Sequence, residues 1–390
     1  MSKYKIDQLV EAIKFNTQEV LPNIDEVLLK EVTTLVNQAN LSGENINHYI
    51  GFEISGLVHI GTGIISALKI KKLTEAGVVC HIWLANFHTY LNGKLDGKIE
   101  TINEVCDQYF KPCMIKCLEV VGCDMTKVVV LDAITIYNTP KNGDSFWLYD
   151  LDVCKNLTLS RIVKSISVTG KKEGDQVEFG ILRYPAMQVA DPYFMNIHLV
   201  HAGMDQRKCH VLMREIAYKI RPEYQLKINS QSLKPIAMHH SLLLSLSKAN
   251  PEDLEGSKMS KSKPDSAIFV HDSYLEIGNK IKKAYCPAID KNLSYEDNLN
   301  IQNLNPLLNW SQLMILPSGK TITIEKLESS QEAKTYSDII TLREDYMKGE
   351  IFPTELKKAI TITLSSWFLP IHQWSLENEE IIKKIKKIKK

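Results

Sequence analysis

The chain has 390 residues, of which 44% are hydrophobic and 24% charged, and its formal net charge at pH 7 is +1. This length allows two domains that each bury a core, and the composition is typical of a water-soluble globular protein. No apolar run reaches the length of a bilayer span, and the N-terminus lacks the apolar core of a signal peptide. We therefore expect a cytosolic protein with no membrane segment. The eight cysteines form no CxxC pair, which predicts reduced thiols and no metal centre.

The first half of the chain alternates helical and strand patterns. Apolar residues at helical spacing predict helices from residue 1 to about 46, and the run 48–53 predicts a first strand. A turn leads through His59 into a helix that ends near Gly77, a residue typical of the position after a helix C-cap. The apolar run 78–85 predicts a strand that is buried on both faces of a parallel sheet. The result is a right-handed βαβ unit, and ligands of such sheets bind beyond the carboxyl ends of the strands, near His59.

The second half begins with two more strand patterns, at 127–131 and 196–200. The stretch between them, about 135 to 190, is mainly helical in pattern and resembles an insertion between two halves of a sheet. Residues 250–265 are rich in Gly, Ser, Lys, Pro and Asp, which predicts a surface loop. Beyond Asp272 the pattern is mostly helical. The sequence thus predicts an α/β fold followed by a helical part.

Two short motifs stand in different parts of this pattern. One is His59-Ile60-Gly61-Thr62 at a predicted helix start, and the other is Lys258-Met259-Ser260-Lys261-Ser262 in the predicted loop. A helix N-terminus offers backbone donors to an anion, and Gly61 lets a flat base approach the backbone. Either motif alone is compatible with an ordinary loop. In this order they resemble the paired signatures of class I aminoacyl-tRNA synthetases, in which the loop lysines meet charge that builds on pyrophosphate in the transition state.

Further segments narrow the resemblance to tyrosyl-tRNA synthetases of the archaeal and eukaryotic type. They are Tyr49–Glu53, Ala85–Asn92, Tyr184–Asp191, Gly203–Lys208 and Lys282–Pro287. The resemblance covers nearly the whole chain. It implies a Rossmann-like α/β catalytic domain over 1–272 with the helical insertion near 135–190. A mainly α-helical domain that binds the tRNA anticodon follows over 273–390.

The implied reaction is the ligation of tyrosine to its tRNA. L-Tyrosine reacts with ATP to form tyrosyl-adenylate, and the tyrosyl group then passes to the 3′ end of the tRNA. ATP enters as a substrate with Mg²⁺, and we expect no tightly bound protein metal, because no carboxylate cluster suggests a metal cage.

One predicted helix carries three polar residues on a shared face. Tyr184, Gln188 and Asp191 stand at i, i+4 and i+7. Such groups need partners if they are buried, and a phenol-bearing amino acid supplies them, although a solvated face on a surface helix is the alternative. By resemblance, Asp191 and Tyr49 bind the substrate hydroxyl. Tyr184, Gln188 and Gln206 hold its α-amino group.

The resemblance also implies the residues that act on ATP. His59, Lys258 and Lys261 are the expected catalytic residues. The expected contacts of ATP are Gly51, Glu53, His59, Gly61, Lys258, Met259, Ser260 and Lys261. The chain departs from the family pattern in two places: Thr62 stands where a second histidine is usual, and Asn86 stands where relatives have aspartate.

Weaker signals concern the partners. Trp310, the helix start at Phe352 and the terminal lysines favour tRNA binding by the C-terminal part, although the lysines are also typical of an ordinary basic helix end. The insertion carries the apolar residues Phe146, Trp147, Leu148, Leu151, Leu157, Leu159 and Ile162. We expect a homodimer that buries them, with an internal core of the insertion as the alternative.

Three other functions stay open at this point. The first is a tryptophanyl-tRNA synthetase, which Asp191 disfavours because indole offers a single N–H. The second is another nucleotidyltransferase with the His59 motif, which the long C-terminal part disfavours. The third is an inactive relative that binds RNA, for which Thr62 is the support.

Overall fold

A mainly parallel sheet forms the centre of the first part of the chain in the computed structural model, which describes residues 2–172, 174–252, 259, 264–326 and 332–388. The strands are β1 (Thr17–Leu21), β2 (Asn47–Phe52), β3 (Val79–Leu84), β4 (Val128–Asp132), β5 (Leu199–Gly203), β6 (Lys227–Ile228), β7 (Gln231–Ser232), β8 (Ile236–His240), β9 (Ile322–Ile324) and β10 (Lys334–Tyr336). Six of the described strands make the central sheet, in the order β1-β8-β5-β2-β3-β4. All neighbours in it are parallel except β1 and β8, which pair antiparallel.

Helices cover both faces of this sheet and make up most of the C-terminal part. They are α1 (Ile6–Lys14), α2 (Asp25–Ser42), α3 (Ile60–Glu75), α4 (Asn86–Leu91), α5 (Ile99–Val105), α6 (Lys111–Val121), α7 (Ala133–Tyr137), α8 (Phe146–Lys155), α9 (Leu159–Ser165), α10 (Phe179–Met195), α11 (Arg207–Ile216), α12 (Tyr274–Lys283), α13 (Tyr295–Gln302), α14 (Pro306–Trp310), α15 (Ile339–Met347), α16 (Pro353–Glu377) and α17 (Glu379–Lys387). The predicted α/β fold with a mainly helical C-terminal part is confirmed.

The βαβ unit forms as predicted. His59 is the N-cap of α3, and Gly77 after its end has a φ of +87°. That left-handed conformation is one that glycine adopts without a steric penalty, and the N–H of the next residue, Val78, donates to the carbonyl of Leu73. The helix thus ends where the glycine predicts.

Three strands differ from the prediction. The strand predicted at 196–200 begins at Leu199, because Asn196 ends α10 in a left-handed conformation with a φ of +54°. The stretch predicted as wholly helical before residue 46 contains β1, which pairs with β8 at the sheet edge. β8 itself carries no strand prediction, since its apolar pattern is interrupted by two histidines.

The order of the strands places a crevice beside β2. From β2 the chain moves to β3 and β4 on one side and then returns to β5 and β8 on the other. Loops therefore leave β2 and β5 in opposite directions at their carboxyl ends, and open α/β sheets bind ligands at such a point.

The C-terminal part packs closely against the first part. Trp310, which the sequence analysis counted in favour of tRNA binding, is fully buried, and its indole N–H donates to the carbonyl of Leu244 at 2.8 Å. It is therefore unable to stack on a tRNA base, and its use as support for tRNA binding was wrong. On α16, the indole of Trp367 donates to the carbonyl of Val120 at 3.1 Å. A shared hydrophobic cluster runs through both parts, so the division at residue 272 stays a prediction. Within the described residues, no helix has the length and apolar character that a membrane crossing requires.

Candidate functional site

A cavity of about 750 Å³ opens at the carboxyl ends of β2, β3, β5 and β8. Small-molecule sites are commonly cavities of roughly 300–1,000 Å³ at such a position. Its walls include the residues expected to bind tyrosine and the described residues expected to bind ATP: Tyr49, Gly51, Glu53, His59, Gly61, Tyr184, Gln188, Asp191, Gln206 and Met259. The fold thus brings residues from distant parts of the sequence around a common cavity.

The His59 turn forms one wall of the cavity. Nδ1 of His59 accepts the backbone N–H of Thr62 at 3.2 Å, so in the neutral imidazole the proton is on Nε2, which lies 3.2 Å from the Thr62 hydroxyl. A Cβ at Gly61 would lie 3.2 Å from the imidazole ring, closer than most side-chain contacts. Thr62 therefore orients the imidazole of His59, and Gly61 leaves space for it.

One residue of the lysine motif lies in the described part of the chain. Lys258, Ser260 and Lys261 lie outside the described residues, but Met259 is buried in the cavity wall, where its N–H donates to the carbonyl of Leu243. After the motif, the carbonyl of Ile268 accepts the N–H of Ile60 at the start of α3. The segment that follows the motif is therefore hydrogen bonded to the His59 turn.

Helix α10 forms another part of the cavity wall. Tyr184, Gln188 and Asp191 line the cavity from one face of this helix, and Tyr184 and Asp191 are buried. The alternative of a solvated surface face is therefore wrong. Prolines at 185 and 192 lie inside the helix. Each removes a backbone donor there.

The carboxylate of Asp191 lies in an apolar part of the cavity. The hydroxyl of Tyr137 donates to its Oδ1 at 2.5 Å, and Nε2 of His88 lies 4.0 Å from its Oδ2. Burial raises the pKa of Asp191 to about 8, and the Tyr137 hydroxyl opposes that rise. Burial likewise lowers the pKa of His88 to about 3, so its imidazole is neutral. The two groups form a polar end that suits a hydroxyl able both to donate and to accept.

A second polar group lies nearer the mouth of the cavity. The amide of Gln188 donates to Oε1 of Gln206 at 3.2 Å, and the amide of Gln206 donates to the carbonyl of Val168. Oε1 of Gln188 is buried and has no hydrogen-bond partner in the part of the chain that the structure describes. The carboxylate of Glu53 accepts the Asn92 amide at 2.7 Å, and burial together with the charge of Glu53 raises the pKa of the Tyr184 hydroxyl. An acceptor that is buried and unpaired is typical of a site that awaits a donor such as an ammonium group.

Sequence reasoning missed several residues of this site. His88 and Tyr137 contact Asp191 from α4 and α7, and Asp205 and His240 line the cavity from the ends of β5 and β8. His88 and Asp205 lie inside the segments 85–92 and 203–208 that carry the family resemblance, so the sequence contained a signal for both. No sequence signal indicated Tyr137 or His240, because only the fold brings them near the cavity.

Asn86, the second departure from the family pattern, does not line the cavity. The residue is buried, and its side-chain amide donates a hydrogen bond to Oδ1 of Asn103 at 2.9 Å. Among the residues that the structure describes, no group of three or more His, Cys, Asp or Glu side chains is arranged to hold a metal ion.

Comparisons with known proteins agree with this geometry. The family described as tRNA synthetases class I (W and Y) matches residues 41–368. The tyrosine–tRNA ligase of Pyrococcus abyssi is 38% identical over 373 residues, which cover 92% of this chain and 95% of that protein. The tyrosine–tRNA ligase of Pyrococcus furiosus is also 38% identical, over 372 residues and the same shares of both chains.

A solved structure extends the likeness to three dimensions. The crystal structure of tyrosyl-tRNA synthetase complexed with L-tyrosine from Pyrococcus horikoshii has a TM-score of 0.85 and 34% sequence identity to this chain. The match covers 98% of this chain and 100% of that one.

Proposed function

The chain belongs to the class I tRNA synthetases, in the family of the tyrosine–tRNA ligases, and we propose that it activates L-tyrosine with ATP and transfers the tyrosyl group to the 3′ end of its tRNA. The observation that carries this proposal is that the α10 face and the His59 turn line the same cavity. The α10 face is suited to an amino acid and the His59 turn to a nucleotide.

The amino acid is proposed to bind against α10. Its phenol hydroxyl reaches Asp191 and Tyr49 at the buried end, while its α-ammonium group donates to the unpaired Oε1 of Gln188 and to Tyr184. Phenylalanine fits the same volume but leaves Asp191 buried without its partner. Leaving a buried polar group unpaired costs about 1–3 kcal/mol, so the pocket favours tyrosine.

ATP is proposed to bind between the His59 turn and the ends of β2 and β5, with Mg²⁺ as its counter-ion. Gly51 and Gly61 line the cavity without a side chain, so a flat base can approach the backbone there. His59 donates from Nε2 to the phosphates, and the lysines meet the charge on the leaving pyrophosphate. In this step the tyrosine carboxylate attacks the α-phosphorus, the bond to the β-phosphate breaks, and pyrophosphate leaves.

Amino-acid-dependent exchange of pyrophosphate into ATP tests this function directly. We expect exchange with tyrosine, and roughly 10- to 100-fold less with phenylalanine or tryptophan at equal concentration, the difference that leaving one buried polar group unpaired produces. The Lys258→Ala and Lys261→Ala variants should lose exchange rate while their affinity for tyrosine changes little, because both act on transition-state charge.

Exchange that depends on tryptophan would instead identify the tryptophanyl activity. A protein that binds tyrosine and ATP without exchange would be the inactive relative. Either outcome contradicts the proposal.

The tRNA is proposed to contact the helical C-terminal part. The predicted helix start is confirmed, since α16 begins at Pro353 and the preceding Phe352 is exposed. In α17, Ile381, Ile382 and Ile385 are buried against the protein, whereas the lysines of the other face point to solvent. Two of these lysines form ion pairs: Lys384 with Glu104 at 2.6 Å, and Lys383 with Glu379 at 2.8 Å. The exposed face is the basic surface that an RNA backbone would meet.

A homodimer through the insertion is also proposed. The apolar residues of the insertion that were predicted to form the dimer interface fall into two groups. Phe146 and Ile162 are buried inside the insertion, but Leu151 and Leu159 are 58% and 69% exposed. Trp147 and Leu148 lie on the outside of α8 with Leu151. The internal-core alternative therefore accounts for only part of the set. A twofold axis would bury the exposed part of both chains at once.

Light scattering tests the dimer. We expect the mass of two chains at micromolar concentration and the mass of one chain for a Leu151→Asp, Leu159→Asp double variant, because each aspartate would be buried unpaired in the interface. A Leu41→Asp variant is the control, since Leu41 is 75% exposed on α2, outside the insertion. A wild-type mass of one chain would contradict the dimer.

A further inference from the structure

A pair of buried histidines lies at the nucleotide side of the cavity. His201 of β5 and His240 of β8 face each other in neighbouring parallel strands, and Nε2 of His201 lies 2.8 Å from Nδ1 of His240. His201 is 1% exposed and His240 is 8% exposed, and both line the cavity. Neither histidine belongs to the His59 motif or to the lysine motif, and neither has a role in the proposed reaction.

The partners of the two rings decide which nitrogen carries each proton. The bond between the rings holds one proton. Nδ1 of His201 is buried and has no partner among the described residues. If His201 donated from Nε2, that Nδ1 would be an unpaired acceptor; in the opposite arrangement it would be an unpaired N–H. Buried unpaired N–H groups are the rarer and more costly of the two. His201 therefore donates to His240, and the remaining proton of His240 is on Nε2.

The surroundings of Nε2 support the same arrangement. The position that a Cβ of Gly203 would occupy lies 2.7 Å from Oδ1 of Asp205 and 3.6 Å from Nε2 of His240. The carboxylate and the imidazole N–H are therefore both close to Gly203 in the cavity wall. A side chain at residue 203 would collide with the carboxylate and with the Leu242 side chain, which lies 2.9 Å from the same position. Burial lowers the pKa of His240 to about 4, and the charge of Asp205 opposes that shift, so the ring is neutral at pH 7.

A neutral N–H donor beside a carboxylate acceptor suits a hydroxyl pair better than a phosphate. A hydroxyl can accept from the imidazole and donate to the carboxylate, whereas the charge of Asp205 repels a phosphate group. In a nucleotide the hydroxyl pair is on the ribose.

We propose that His240, held in its tautomer by His201, donates a hydrogen bond to a ribose hydroxyl of the nucleotide and makes the site prefer ATP over its deoxyribose analogues. This inference rests on the proposed function only in taking ATP as the nucleotide. His240 is in this view a nucleotide-contacting residue, and His201 is a positioning residue behind it.

Calorimetric binding of ATP, 2′-deoxyATP and 3′-deoxyATP tests the inference without requiring turnover. We expect the wild type to bind ATP about tenfold more tightly than at least one deoxy analogue, the difference made by one hydrogen bond. His240→Leu should lose most of that preference and leave tyrosine binding unchanged. His240→Gln should retain it, because the glutamine amide places a donor near the position of Nε2.

Two further variants separate a specific role from a structural one. His201→Phe should weaken the ATP preference while His240 is still present. His198→Leu removes an equally buried histidine at the other end of β5, outside the cavity, and should leave the preference unchanged. An unchanged preference in His240→Leu would overturn the inference. Wild-type protein that binds ATP with this preference but gives no tyrosine-dependent exchange would contradict the proposed function and leave the role of His240 standing.

Discussion

Replacing Lys69 with methionine is expected to lower the free energy of unfolding by about 3 kcal/mol or more. The ammonium group of Lys69 is buried, and its three N–H donors are shared among the carbonyls of Ala12, Ile13 and Phe15 and the hydroxyl of Thr17. Burial lowers the pKa of Lys69 well below its usual value. Methionine fills a similar volume but offers no donor, so only the Thr17 hydroxyl remains to donate to the carbonyls of Ile13 and Phe15. Denaturant unfolding followed by fluorescence measures the loss.

Lys72 offers a matched control on the same helix. It is a partly exposed lysine of α3 that pairs with Glu75 at 3.3 Å on the surface. Such pairs contribute about 0–1 kcal/mol, so Lys72→Met should change stability little. Equal effects of the two substitutions would show that the buried ammonium does not stabilise the junction of α1, β1 and α3.

Replacing Asp191 with asparagine is expected to lower tyrosine-dependent exchange by roughly tenfold or more, since the amide offers one accepting oxygen where the carboxyl group offers two. Asparagine keeps an oxygen that can accept from Tyr137, so the site should stay intact. A loss of the preference for tyrosine over phenylalanine should accompany the loss of rate. The measurement is exchange with both amino acids at saturating ATP.

The Asp191→Asn substitution lowers exchange, but it should raise the stability of the ligand-free protein at pH 8. Burial raises the pKa of Asp191 from 3.8 to about 8, so the folded state keeps a proton that the unfolded state has released. The wild type therefore loses stability as pH rises from about 4 to about 8. Asparagine removes that loss, and the variant should melt above the wild type at pH 8 and near it at pH 4. A variant that melts far lower at both pH values would make Asp191 a structural residue.

Local patterns were sufficient for much of the fold. The run 78–85 predicted β3 and the spacing of Tyr184, Gln188 and Asp191 predicted their common face on α10. These features depend on the period of a helix or strand, which the residues themselves set within a few turns. Gly77 predicted a helix end for the same reason, because few other residues adopt its backbone conformation.

Features that depend on distant pairing were not predictable in this way. β1 is short, and its partner β8 lies far along the chain. Trp310 has the sequence context of a surface residue, but the carbonyl of Leu244 accepts its N–H in the interior. Propensity is a weak guide in such segments, since tertiary contacts decide whether a residue is covered.

The sequence by itself determined which chemical groups the site contains: the imidazole of His59, the loop lysines, and the carboxylate and amides of α10. Only the tertiary structure decided their environment. Asp191 loses its solvent because other elements close over it, and Tyr137 then donates to it from α7. Likewise, His201 and His240 become a pair only through the parallel register of β5 and β8. Desolvation and hydrogen-bond geometry are set by what surrounds a group in space, and neighbours along the chain do not reveal those surroundings.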